Sequence, residues 1–216
     1  EKAFKLYPDV KIVVVANLYG TPAKLDEIKN ICDKYNAVLI EDAAESLGAT
    51  YKGIQTGAFG NYSVVSFNGN KIITGSCGGM LLTDDEYAAQ KARKWSTQSR
   101  EQAPWYQHEE IGYNYRMSNV IAGVVRGQWS YLEEHIAKKK AIYMRYKEGF
   151  KDLPLSMNPY IEEIEEPNFW LSCLLIDEDA MCQQYMGAQE SSYVPEHGKT
   201  CPMEILETLA KFNVEA

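Results

Sequence analysis

A lysine and an acid, each leaving a short apolar run, are the residues of this chain best placed to do covalent chemistry. Lys71 follows the run Tyr62-Ser63-Val64-Val65-Ser66-Phe67 and the turn Asn68-Gly69-Asn70. Asp42 follows Val38-Leu39-Ile40, with Glu41 between. The first run reads as a strand ended by a turn. The second has no polar interruption, as in a buried parallel strand. Open α/β sheets place ligand sites at the carboxyl ends of their strands. If the two strands are neighbours, Asp42 and Lys71 face one crevice, an arrangement suited to a cationic heterocycle bearing an aldehyde. Each residue alone has a plainer reading. A lysine after a turn is ordinarily a solvated charge, and an acid ending a strand serves a magnesium ion or a ribose as readily as a ring nitrogen.

The elements that must position these two residues follow the pattern of a parallel sheet. Val10 to Asn17 (VKIVVVAN) is a further strand, and Leu18-Tyr19-Gly20 turns out of it. Thr21 and Pro22 read as the N-cap and first residue of a helix. Leu25, Ile28, Cys32 and Tyr35 give that helix one apolar face. Val10 to Asp42 is thus strand, helix, strand, a right-handed crossover unit. After Lys71, Gly78 to Leu82 is a short strand, and Thr83 with Glu86 forms a capping-box pattern for a helix ending near Trp95. Residues 97 to 110 read as an irregular loop. One long helix starts near Ser118, with Ile121, Val125, Trp129, Leu132 and Ile136 as its buried stripe.

Composition narrows the class. With 45% hydrophobic and 24% charged residues in 216, the chain is ordinary for a globular protein. A net charge of −8 argues against a general nucleic-acid binder. No apolar run approaches a membrane span, and the opening EKAFKLYPD is not a signal peptide. Five cysteines without a CxxC pair point to reduced thiols and a cytoplasmic protein. With His108, His135 and His197 scattered among them, no zinc site is expected. No G-x-G-x-x-G follows a strand, which argues against a dinucleotide binder.

Three blocks in order, IEDAAESLGA, VVSFNGNKIITGSCGGML and GYNYRMS, resemble the sugar aminotransferases of the DegT/DnrJ/EryC/StrS family. The similarity runs from about Lys11 to Phe150 and resumes near Trp170 and Met203. The resemblance implies an α/β, fold-type-I aminotransferase-like architecture, with a mostly parallel sheet flanked by helices and a smaller α+β domain. It implies pyridoxal 5′-phosphate (PLP) as cofactor. The expected division is a partial PLP-binding large domain over residues 1–152 and a partial small domain over 153–216. Family members carry on the order of a hundred further residues before the point where this chain opens, a domain-sized portion. That portion holds the glycine-containing phosphate loop and the residue stacked on the cofactor ring.

Residue by residue, Lys71 matches the family's Schiff-base lysine, which also shuttles the proton between substrate and cofactor carbons. Asp42 matches the acid that keeps the pyridine nitrogen protonated. Ser66 matches a phosphate-binding hydroxyl, and Asn114 an asparagine that donates to the phosphate in the neighbouring subunit. The latter implies a homodimer with shared active sites. Glu45 stands where the family more often carries glutamine beside the cofactor's ring oxygen. A carboxylate there repels that oxygen unless it is protonated or turned away; orienting a neighbouring group, or a place at a helix N-terminus, are its other readings. Arg116 is as well explained by a structural ion pair as by a substrate contact, and Cys77 by packing.

The function implied is conversion of a keto group on a nucleotide-linked sugar, of the UDP 4-keto kind, to an amine. Glutamate is the implied donor and amino-sugar and glycan biosynthesis the setting. Lys71, where the family's dehydratases carry histidine, favours transamination. The alternative is a non-catalytic or truncated relative that acts only through dimerisation or binding. Beyond Phe150, Leu153-Pro154 and Pro159 punctuate a boundary. Phe169 to Ile176 is then expected as a strand and Met203 to Phe212 as a helix. The stretch from Asp177 to Pro202 has no periodicity and is expected as a loop.

Overall fold

The computed structural model describes residues 1–187 and 191–215. In chain order the elements are α1 (Lys2–Leu6), β1 (Ile12–Ala16), α2 (Leu25–Lys34), β2 (Val38–Asp42), β3 (Thr50–Tyr51), β4 (Ile54–Gln55), β5 (Tyr62–Ser66) and β6 (Gly79–Leu82). There follow α3 (Glu86–Ser96), α4 (Asn119–Trp129), α5 (Leu132–Gly149), β7 (Leu155–Met157), β8 (Glu165–Glu166), β9 (Leu174–Ile176), β10 (Gln183–Met186), β11 (Ser191–Val194) and α6 (Pro202–Lys211). They form two compact units, one of Glu1–Tyr143 with Tyr160–Leu171, the other of Met144–Pro159 with Ser172–Ala216.

The first unit is built on a four-stranded sheet of order β1-β2-β5-β6. β1, β2 and β5 run parallel, and β6 returns antiparallel to β5. The apolar runs read as strands therefore are strands, and β2 and β5 are neighbours, paired from Ile40↔Tyr62 to Asp42↔Val64. Side chains alternate across a strand. On one face Phe4, Cys32, Ala37 and Leu39 pack with Val13, Val15, Ile28 and Tyr35, which seats α2 on the sheet. Further along, Ala43, Val65, Phe67, Ile73, Val125 and Leu132 form a second core, which seats α4 and the start of α5. Leu25 and Leu39 are fully buried, and each such side chain is worth about 1.5–3 kcal/mol of burial.

Several local expectations need correction. The first crossover helix starts at Leu25, not after Thr21. A 3-10 turn over Leu18–Gly20 precedes that stretch, and the Asn17 side chain accepts from the Ala23 N–H, so the chain is held in a loop before it turns helical. The cap of α3 is Asp85, which accepts from the Ala88 N–H, while Thr83 donates to the Asn61 carbonyl instead of forming a capping box. The single long helix is two, α4 and α5. Ser118 does cap α4, but the helix ends at Trp129, where Gln128 turns its amide to both backbone groups of Thr74. Val125 and Leu132 are buried as the stripe requires, whereas Trp129 is exposed.

In the second unit β7 pairs antiparallel with β9. The strand expected from Phe169 is present only as Leu174–Ile176. Phe169 itself has φ +54, outside any strand conformation, and belongs with Trp170 to the first unit. The expected loop after Asp177 contains a hairpin, β10 with β11, in register from Gln183↔Val194 to Met186↔Ser191. Residues 188–190 of that stretch lie outside the described residues. β10 is exposed along its whole length, so no in-out alternation marked it in the sequence. α6 lies within a residue of its expected place. No helix among the described residues is long and apolar enough to cross a membrane.

Candidate active site

The loops that leave β2 and β5 meet at a lysine and a glutamate. After Asp42 the chain bends sharply, with Asp42 Oδ1 accepting from the Ala44 N–H at 3.0 Å, and this brings Glu45 round. After β5 the Asn68–Lys71 turn closes through the Lys71 N–H and the Asn68 carbonyl. The Lys71 amine then lies 3.6 Å from Glu45 Oε1. The lysine side chain is only 13% exposed, so it is not the solvated charge its type suggests. Glu45 Oε2 is itself held, accepting from the Tyr19 N–H at 2.7 Å.

A segment a hundred residues further along completes the surroundings. The Lys71 amine sits 4.0 Å from the ring centroid of Trp170, a cation–π contact. Trp170 is buried, and its indole N–H donates to the Asn70 carbonyl at 2.8 Å. Its backbone N–H donates to Asn168 Oδ1, and Asn168 Nδ2 donates to the carbonyls of Glu45 and Leu47. Asn168 is fully buried, and its own N–H donates to the Gly20 carbonyl. A Cβ on Gly20, whose φ is +88, would come 1.9 Å from Asn168 Oδ1, so only glycine allows this approach.

Among the described residues Asp42 forms no ion pair. Because Asp42 pairs with Val64 and Ser66 lies two residues beyond Val64, Asp42 and Ser66 project from the same face of the sheet. The Ser66 hydroxyl accepts from the Asn68 N–H at 3.2 Å. Glu41, next to Asp42, faces the other way and is fully buried. It accepts from the Asn17 amide and from the N–H groups of Gly57, Phe59 and Gly60, and so fixes the loop before β5.

Asn114 stands elsewhere in the same unit. It is exposed, bridged to Thr97, and lines a hollow of 490 Å³ with Gln98, Arg116 and Ser118 that includes none of Lys71, Asp42, Glu45 or Ser66. The loop that carries it is tied to α3 by Glu110, which pairs with Lys91 at 2.6 Å and Lys94 at 3.1 Å and accepts from the Trp95 indole. The hydrogen bond from Lys91, then those from Trp95 and Lys94, hold the Glu110 carboxyl down at about 2. Sequence reasoning passed over Asn168, Trp170 and Tyr19. Their roles depend on contacts across the chain, and no local signal marks them.

An α/β sheet with an amine and an acid on loops at the carboxyl ends of adjacent strands defines a class of enzyme-like scaffold, and its sequence places it further. Residues 4–195 match the model of the DegT/DnrJ/EryC1/StrS aminotransferase family, and the chain belongs to that family. It is 44% identical over 208 residues to EpsN of Bacillus subtilis (strain 168), whose name provisionally makes it a pyridoxal phosphate-dependent aminotransferase; the match covers 95% of this chain and 48% of EpsN. It is 33% identical over 172 residues to the GDP-perosamine synthase of Caulobacter vibrioides, covering 79% of this chain and 46% of that protein. Among solved structures, the aminotransferase TlmJ from Streptoalloteichus hindustanus is similar with a TM-score of 0.76 and 26% identity, over 82% of this chain and 49% of TlmJ. The chain thus spans about half the length of the relatives it matches.

Proposed function

We propose that this chain supplies the lysine side of the active site in a PLP-dependent aminotransferase that turns a keto group of a nucleotide-linked sugar into an amine. The acceptor in this reading is a UDP-linked 4-keto sugar, the donor glutamate, and the protein a cytoplasmic homodimer. The observation that carries it is the Lys71 amine, nearly buried yet in no short hydrogen bond, at the junction of the loops leaving β2 and β5. The names of the relatives support the substrate class, since one is a GDP-perosamine synthase.

The residues present fit the cofactor. Asp42 is a carboxylate at a strand end with no cationic partner among the described residues, which suits a pyridinium nitrogen. Glu45 would be an uncompensated anion beside the ring, but its charge is met by Lys71 and by the Tyr19 N–H. When bound, PLP supplies an aldehyde for amines to condense with and a ring that takes up the electron pair released at the substrate carbon. Lys71 would hold the aldehyde carbon and, once displaced, would carry a proton to and from the substrate carbon. Asp42 would keep the proton on the ring nitrogen. The Ser66 hydroxyl would donate to the phosphate, and Asn114 would donate to the phosphate held by the neighbouring subunit.

The test is spectroscopic. With PLP the protein should turn yellow, lose the colour on adding glutamate, and regain it with a UDP-linked 4-keto sugar. A protein that stays colourless belongs to the second reading, a non-catalytic relative acting through dimerisation or binding. Glu45, a carboxylate where the family more often has glutamine, is what favours that reading.

A further inference from the structure

Lys71 is held on two sides, and both holders are fastened to the same buried side chain. The Glu45 carboxylate faces the amine at 3.6 Å, and the Trp170 ring lies 4.0 Å from it. Glu45 is fixed at its carboxylate by the Tyr19 N–H and at its carbonyl by Asn168 Nδ2. Trp170 is fixed at its backbone by Asn168 Oδ1 and at its indole by the Asn70 carbonyl, one residue before the lysine. A carboxylate and an aromatic face each favour a cation over a neutral group. At 3.6 Å the carboxylate contact is longer than a hydrogen bond, so the amine can leave it without breaking one.

We propose that Glu45 and Trp170 are positioning residues for Lys71: they hold its amine beside the end of β2 until an aldehyde is presented to it. The proposal rests on reading Lys71 as the reacting amine. It gives Glu45 a role toward the lysine and not toward the cofactor ring. Asn168 is the anchor that keeps the two holders in register.

The holding can be read without cofactor. The protein is treated with a limiting amount of acetic anhydride at pH 8, and acetylation of each lysine is followed by peptide mass mapping. Wild-type Lys71 should label several-fold more slowly than Lys138. In Glu45→Gln, which keeps an oxygen for the Tyr19 N–H, Lys71 should label at least about threefold faster, with Lys138 unchanged. Glu45→Asp should return part of the protection, and Trp170→Phe, which keeps a weaker π face, should lose less of it. Unchanged labelling of Lys71 in Glu45→Gln overturns the proposal, and so does a rise shared by all lysines. Borohydride reduction of the wild type with PLP separates this failure from failure of the functional reading. An adduct on Lys71 keeps that reading whatever the labelling shows, and an adduct on another lysine removes it.

Discussion

Lys71 pairs with Glu45, at 3.6 Å, and not with Asp42, three residues earlier, whose Oδ1 accepts from the Ala44 N–H. The acid that ends β2 and the acid in the bend after it therefore divide their tasks. Glu45 meets the amine, and Asp42 remains without a cation among the described residues. An acid left in that condition at a strand end suits a ligand that brings the positive charge with it.

Asp42→Asn keeps an acceptor for the Ala44 N–H but removes the charge. Stability should change by less than about 1 kcal/mol, in line with a retained local hydrogen bond. The glutamate half-reaction should slow by on the order of 10²–10⁴, the range for a proton that must be held in place. Single-turnover decay of the yellow colour measures it; a rate within a factor of three of wild type would remove Asp42 from the site.

Asn168→Ala takes away an acceptor from the Trp170 N–H and donors from two carbonyls, all in a fully buried place. With each unsatisfied buried group costing about 1–3 kcal/mol, the loss should be on the order of 3 kcal/mol. Urea unfolding gives the value, and a loss below about 1 kcal/mol would mean that the anchor is dispensable.

Gly20→Ala tests the same junction from the other side. The added Cβ would meet Asn168 Oδ1 at 1.9 Å, with φ already at +88. Backbone strain of this kind costs about 1–3 kcal/mol before any clash is counted. The midpoint of urea unfolding should fall clearly, and an unchanged midpoint would contradict the described packing of the Leu18–Gly20 turn.

Acid should loosen the loop that carries Asn114. The Glu110 carboxyl is lowered to about 2 from its ordinary 4.5 by Lys91, Trp95 and Lys94. A depressed folded-state value gives stability that is complete above the unfolded value and fades as pH falls through the folded one. The loop's anchorage should thus weaken from about pH 4.5 down to about 2. Amide exchange over residues 97–115 measures it, and Glu110→Gln should remove most of the pH dependence in that window. Exchange with the same pH profile in the variant would assign the effect to other groups.

The sheet was legible because buried parallel strands carry apolar runs without interruption, as in β1 and the start of β2, while β5 was marked by the turn after it; strand ends then pointed to Asp42 and Lys71. What stayed hidden has physical causes. The Thr21-Pro22 pair carries the chemistry of a helix start, but Asn17 captures the Ala23 N–H and holds the chain in a loop. The β10–β11 hairpin has an exposed β10 and so no alternation to read. Glu45 stood out as a departure from the glutamine the family more often carries, and only its contact with Lys71 gives it a task. Trp170 reads as part of an apolar strand and nothing local marks Asn168, while both make contacts across 100 residues or more.

The account stands on one amine. PLP is added to the protein, the mixture is reduced with borohydride, and the peptides are mapped by mass. The account predicts a pyridoxyl adduct on Lys71, lost in Lys71→Ala with the fold retained by circular dichroism. An adduct spread over surface lysines, with Lys71 unmodified, would contradict it.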